Sequence, residues 1–215
     1  MKRLLGGVAA VLAVSTAIGL YINSSSEEEP NKKTIEATSK PKITVIEAKT
    51  IDYSSLEELQ TELPIAVKGI KTDEKKTELQ YSKVDNSLIG GHTVSNFKIT
   101  EVLQNNNEAA EIKVGNNIPV MEYSFLDKES DTTYTYNGYA NMRENEEYIL
   151  FLLPKEEEVF PIGSTSIGKI PVEKSTEVEI YKEDFEANND NVDDTEEVIE
   201  NIEKVYEEVR AEYVE

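Results

Sequence analysis

The sequence predicts a mainly β fold, a small β-barrel with a short helix before it and an amphipathic helix after it. Short apolar runs recur at roughly ten-residue spacing between Gly, Asn and Pro turns, a pattern shared by barrels and sandwiches, of which we take the barrel. Near the C-terminus Val198, Ile199, Ile202, Val205, Tyr206, Val209 and Tyr213 recur at one-, three- and four-residue steps, the stripe of an amphipathic helix beginning near Thr195. At the other end Leu4 to Ile22 carries no charged side chain.

That first segment follows Lys2 and Arg3 and is closed by Ser24–Ser26 and Glu27–Glu29, the layout of an export or anchor segment. As a helix it would span about 28 Å, close to the roughly 30 Å of a bilayer's hydrocarbon. Ser15-Thr16-Ala17 is a small-x-small cleavage pattern, but cleavage after Ala17 would leave Ile18, Leu20, Tyr21 and Ile22 as an apolar start. The expectation is therefore a signal or anchor helix over 1–22, read as an uncleaved single pass in the cell membrane. The basic residues before it place the rest outside the cell. Cleavage would make the protein secreted.

Residues 23–41, rich in Ser, Glu, Lys, Thr and Pro, read as a flexible linker. The barrel is assigned to 42–182. Ile43 and Val45 make a short edge strand, and Ser55 followed by Glu58 forms a capping box for a helix that Pro64 ends. Ile65, Val67 and Ile70 resume strand character with a bend or bulge at Gly69. Thr93 to Leu103 alternates so that Phe97, Ile99 and Leu103 share one face and Val102 the other. After turns at Asn105–Asn107 and Gly115–Asn117, a strand holds Ile118, Val120 and Tyr123. Tyr134 and Tyr136 form a hairpin arm before the turn dipeptide Asn137-Gly138. Glu147 to Leu153 is nearly all apolar, as a central strand covered on both faces requires. Val159, Phe160, Ile162, Ile167, Ile170, Val172, Val178 and Ile180 supply short strands around Pro154, Pro161, Gly163, Gly168 and Pro171. Residues 183–215 form an acidic linker and the amphipathic helix, with 14 Asp or Glu against 2 Lys or Arg.

Composition excludes several functions. The formal net charge of −21 repels phosphate backbones, so nucleic acid is not an expected partner. The absence of cysteine removes disulfides, thiolate metal sites, thiol catalysis and a lipid-modified cysteine.

The chemical motifs fail on context. Gly163-Ser164-Thr165-Ser166-Ile167-Gly168-Lys169-Ile170 approaches a phosphate-binding loop, but Ile170 stands where a hydroxyl should hold magnesium, and Pro171 follows where a helix should open. Ser95 to Lys98 and Ser166 to Lys169 have the spacing of a serine nucleophile and its lysine base on a helical turn, yet one lies in a strand and the other in a turn. His92 is the single histidine and reads as a solvated turn residue. Asn188, Asn189, Asp190, Asn191, Asp193, Asp194, Glu196 and Glu197 offer oxygen ligands for calcium without EF-hand order, and Asp194 or Thr195 serves better as a helix cap. Tyr134, Tyr136 and Tyr139 offer either a stacking platform for sugars or peptides or half-buried strand residues.

Ser55-Leu56-Glu57-Glu58-Leu59 ahead of Ile65-Ala66-Val67-Lys68-Gly69, then Phe97–Leu103, Glu147–Leu153 and Gly168-Lys169, resemble small exported or membrane-tethered Gram-positive bacterial proteins with an OB-like β-barrel. The resemblance covers about 53 to 173 and implies fold and address, without an activity. The expected function is a tethered extracellular binding or interaction module without catalysis, anchored in the membrane through residues 4–22 and binding a protein, peptide or cell-wall component. No catalytic, cofactor-binding or metal residues are assigned, and no cofactor. The alternative is a wall-polymer enzyme using paired carboxylates drawn from Glu101, Glu122 and Glu147.

Overall fold

The computed structural model describes residues 42–173, 180–181 and 192–214, except the side chains of 192–195. The expected anchor, the linker, Val178 and the lead-in to Asn191 lie outside the described residues. Among those described, no helix is long and apolar enough to cross a membrane.

The fold is mainly β. Chain order is β1 (Lys42–Ile46), α1 (Leu56–Glu62), β2 (Ile65–Tyr81), β3 (Leu88–Asn105), β4 (Asn117–Glu122), β5 (Ser124–Asp127), β6 (Thr132–Tyr136), β7 (Glu147–Leu152), β8 (Phe160–Pro161), β9 (Lys169–Pro171) and α2 (Val192–Tyr213). The strands pair as a three-stranded sheet, β1-β6-β5, and a six-stranded sheet, β8-β4-β3-β2-β7-β9. Among the described residues both sheets are open and no closed barrel forms, which corrects the expected small barrel. The chain after β8 does turn back on β7: Leu153 N–H donates to Pro161 O, Gly163 N–H donates to Phe151 O, and Leu152 forms an isolated bridge with Ile162. A continuous ladder does not follow, because Pro154 and Pro161 lack the N–H groups it needs.

Away from the distal β2–β3 hairpin, the six-stranded sheet is buried on both faces. One face carries Ile65, Val67, Phe97, Ile99, Ile118, Val120, Tyr148, Leu150 and Leu152, packed with Ile112, Tyr139, Met142, Phe160 and Ile162. The other carries Ala66, Ile149, Phe151 and Ile170 under α1 and α2. β7 therefore buries alternate residues into two cores, and this accounts for its unbroken apolar run.

Local details follow from the sequence with three corrections. The Ser55 side chain caps α1 by accepting from Glu58 N–H at 3.3 Å, while the Glu58 carboxylate reaches Ser54 N–H at 2.7 Å, one residue short of a reciprocal capping box. Val102 faces the same core as Phe97 and Ile99, while Leu103 packs into the other, the reverse of strict alternation. The cause is the pair of register shifts at Ala66/Val67 and Lys68/Gly69, since one extra residue in a strand exchanges its faces. The β2–β3 hairpin also extends well past the predicted strands, through Tyr81 and back from Leu88. Asn137 and Gly138 both adopt positive φ, and the Asn137 side chain bonds the Ala48 N–H and C=O at 2.9 Å, tying β6 to the chain leaving β1.

α2 starts at Val192, three residues before Thr195, and packs on the sheet instead of projecting from it. Ile202, Val205, Tyr206 and Val209 are buried, each burial favouring the docked state by about 1.5–3 kcal/mol. Val198 is exposed, so the buried stripe is narrower than predicted. Polar contacts fix the helix in place. Arg210 Nε donates to Pro171 O at 2.9 Å, the Tyr206 hydroxyl donates to Ser166 O at 3.0 Å, and the Glu208 carboxylate accepts from Leu56 N–H at 2.9 Å at the positive end of α1. Lys204 turns to Glu208 at 3.8 Å and to Ser54 O at 3.0 Å.

Candidate functional site

Among the described residues two arrangements hold chemistry-bearing side chains: a buried ion network and an open cleft. The network begins at Glu122, which alternation in β4 directs to the same side as Ile118 and Val120, into the core. Its carboxylate lies 3.0 Å from Lys71 Nζ, and both side chains are almost fully excluded from solvent. Glu122 also accepts from the Ser95 hydroxyl, from the Tyr139 hydroxyl at 3.2 Å and from Met142 N–H. Lys71 donates in addition to Met142 O at 2.6 Å and approaches Glu74 at 3.3 Å. Lys169, equally buried, donates to Ala140 O and lies 4.5 Å over the Tyr139 ring. Every polar atom of the Glu122 carboxylate is thus held by fixed donors, as a buried charge requires.

This network is the main feature that sequence reasoning missed. Lys71 follows Ile70 in a stretch that looks like solvated hairpin, and its partner lies two strands away in the sheet order. The one available signal was Glu122 itself, a carboxylate at an inward position of the Ile118–Val120 alternation. The three candidate carboxylates are not brought together: Glu101 is exposed, Glu122 is in the core, and Glu147 is partly exposed at 3.8 Å from Lys68.

The other sequence motifs are dispersed as their contexts predicted. Lys98 is exposed while Ser95 is buried. After Gly163 comes strand β9, not a helix, and Lys169 is turned into the core. Gly168 is explained by close approach, since a Cβ there would lie 1.9 Å from Gly163 O. Tyr134 stacks on Phe125 with ring centroids 5.4 Å apart, Tyr139 is in the core, and only Tyr136 reaches the cleft, so the three tyrosines do not form one platform. Among the described residues no group of three or more His, Asp or Glu could hold a metal ion.

The cleft has a volume of about 690 Å³, within the range of small-molecule and peptide sites. Three parts of the chain bound it: the segment Ala48–Ile51 leaving β1, the distal hairpin at Lys76, Glu78 and His92, and the β7–β8 turn Glu156–Glu158 with the loop Gly163–Thr165. His92 is a cleft residue and not the solvated turn residue expected of it. Its Nε2 lies 3.5 Å from Glu78, and its side chain is only 12% exposed. Burial pushes the imidazole below its ordinary value, opposed by Glu78 and Glu157 and reinforced by Lys76. The hydrogen bond from Lys76 holds the Glu78 carboxyl below the usual carboxylate range. Tyr123 donates to Ile162 O at 2.7 Å, and burial pushes its phenol up to about 12, with Glu156 adding to the effect. The Ser164 hydroxyl is buried without a hydrogen-bond partner among the described residues, and Ser164 and Glu157 both hold positive φ. No family model matches the chain, and no curated protein matches it.

Proposed function

We propose that the protein is a membrane-tethered extracellular binding module without catalysis, held by residues 4–22, and that its ligand enters the cleft between the distal hairpin and the Glu156–Glu158 turn. The observation that carries the reading is the cleft itself: about 690 Å³ of concave surface that mixes tyrosine, one histidine, charged side chains and a buried serine hydroxyl with no partner among the described residues. Support also comes from the packing of α2, which occupies its apolar stripe within the molecule and leaves the cleft as the better docking place. The separate surroundings of Glu101, Glu122 and Glu147 favour binding over two-carboxylate hydrolysis, which needs the pair on either side of one bond.

A photocrosslinker placed at Thr50, on the cleft wall, tests this in intact cells. The expected result is a discrete crosslinked species that disappears when Gln80→Trp fills the opening. A species unaffected by Gln80→Trp, or none at all from Thr50, counts against the cleft as the binding site.

A further inference from the structure

The proposal that the cleft binds a ligand leaves its chemistry open, and the charges at its mouth narrow it. Glu156, Glu157 and Glu158 are consecutive, exposed and part of the cleft wall. The only ion pair found for them among the described residues is the long 3.9 Å approach of Lys155 to Glu158. On the opposite wall Lys76 is already paired with Glu78, which leaves Lys49 as the remaining cation of the lining. The turn is held in its position: Val159 and Glu156 exchange backbone hydrogen bonds at 3.0 and 2.9 Å, and Glu157 takes positive φ, so the three carboxylates are presented by a closed turn. In the same lining the Ser164 hydroxyl is removed from solvent, with no hydrogen-bond partner among the described residues. A buried hydroxyl without a partner is costly to the fold, and a ligand's polar group that bonds it recovers that cost on binding.

Resting on the cleft as the binding site, we propose that its ligand is a short peptide segment bearing lysine or arginine. The basic side chain pairs with the Glu156–Glu158 turn, its aliphatic stem lies along the tyrosine-lined wall at Tyr136, and a peptide N–H or C=O reaches Ser164. A neutral glycan would leave three carboxylates desolvated and unpaired, and an anionic polymer would be repelled by them. The overall charge of −21 acts in the same direction, drawing cationic partners towards the molecule and raising their association rate.

The test uses the full chain in detergent micelles and four probes in calorimetry: a capped pentapeptide with two lysines, its arginine counterpart, its glutamine counterpart, and an N-acetylglucosamine tetramer. The two basic peptides are expected to bind, with affinity falling as salt is raised from about 50 to 200 mM because the contact is screened. Neutralising the turn with Glu156→Gln, Glu157→Gln and Glu158→Gln together is expected to weaken them roughly tenfold or more, with an unchanged melting temperature because all three side chains are exposed. Ser164→Ala is expected to weaken them a few-fold. Equal binding of the basic peptides by the triple variant overturns the assignment of the turn. Tighter binding of the glutamine peptide or the tetramer, lost in Gln80→Trp, overturns the basic ligand while leaving the cleft as a binding site. Basic-peptide binding that Gln80→Trp does not change removes the cleft from both readings.

Discussion

At the scale of single residues, the Lys71–Glu122 pair is where the fold is most exposed to damage. Glu122→Gln leaves the Lys71 ammonium buried beside a neutral amide, and loss of one partner from such a pair costs about 3–5 kcal/mol. Urea unfolding of the variant is expected to show a lower midpoint with an unchanged slope, the product of slope and midpoint shift matching that free energy. Gly168→Ala brings a Cβ against a backbone carbonyl that cannot yield as a side chain would, and overpacking of this kind costs about 1–3 kcal/mol or more. Two titrations read the cleft. Burial lowers the His92 pKa, so the unfolded chain takes up the proton first as pH falls. The contribution of His92 to stability is present above its ordinary value of 6.5 and is lost as pH drops through the lower folded value. An NMR titration of the lone imidazole is expected to give a midpoint below 6.5, and Glu78→Gln is expected to lower it further by removing a charge that favours the imidazolium. Tyr123 has the opposite sense. Its folded pKa is raised from 10.0 to about 12, so its contribution is full below 10 and is lost as pH rises through 12. Absorbance titration of the phenolates is expected to show a late-ionising component that Tyr123→Phe removes.

At the scale of elements, sequence periodicity revealed those whose surroundings are uniform along their length. β7 was readable because both of its faces are covered, and α2 because a 3.6-residue stripe needs only local spacing. The outer halves of β2 and β3 were not. Thr72 to Tyr81 places charged and polar side chains on both faces of an exposed hairpin, so no period of two appears, and the pairing that makes it a strand comes from the facing segment of β3. Bulges at Ala66/Val67 and Lys68/Gly69 defeated the facial assignment of Val102 and Leu103 for a related reason, since register is a property of two strands together. The packing of α2 has a direct consequence. Ending the chain before Thr195 uncovers Leu59, Leu63, Ile149 and Phe151, and the shortened protein is expected to melt well below the parent and to bind the apolar dye ANS.

At the scale of the whole molecule, the cleft was the part least open to sequence reading. Its walls come from three stretches separated by dozens of residues, and each, taken alone, is a polar loop or turn. His92 illustrates the limit: a histidine beside Gly90-Gly91 reads as solvated, and only the approach of Glu78 and of the β7–β8 turn makes it a wall of a concavity. The classes that charge and cysteine count excluded rested on totals that folding does not alter.

The clamp formed by α2 also orders events in time. Ile202, Val205, Tyr206 and Val209 finish one side of the sheet, and they are made after every strand they cover. A chain made from its N-terminus would therefore wait, with one sheet face wet, until α2 had emerged. The step that seals this body belongs to the stage at which α2 becomes available, and a protease is expected to cut β7 in chains stalled before α2 and to spare it in chains that include the helix.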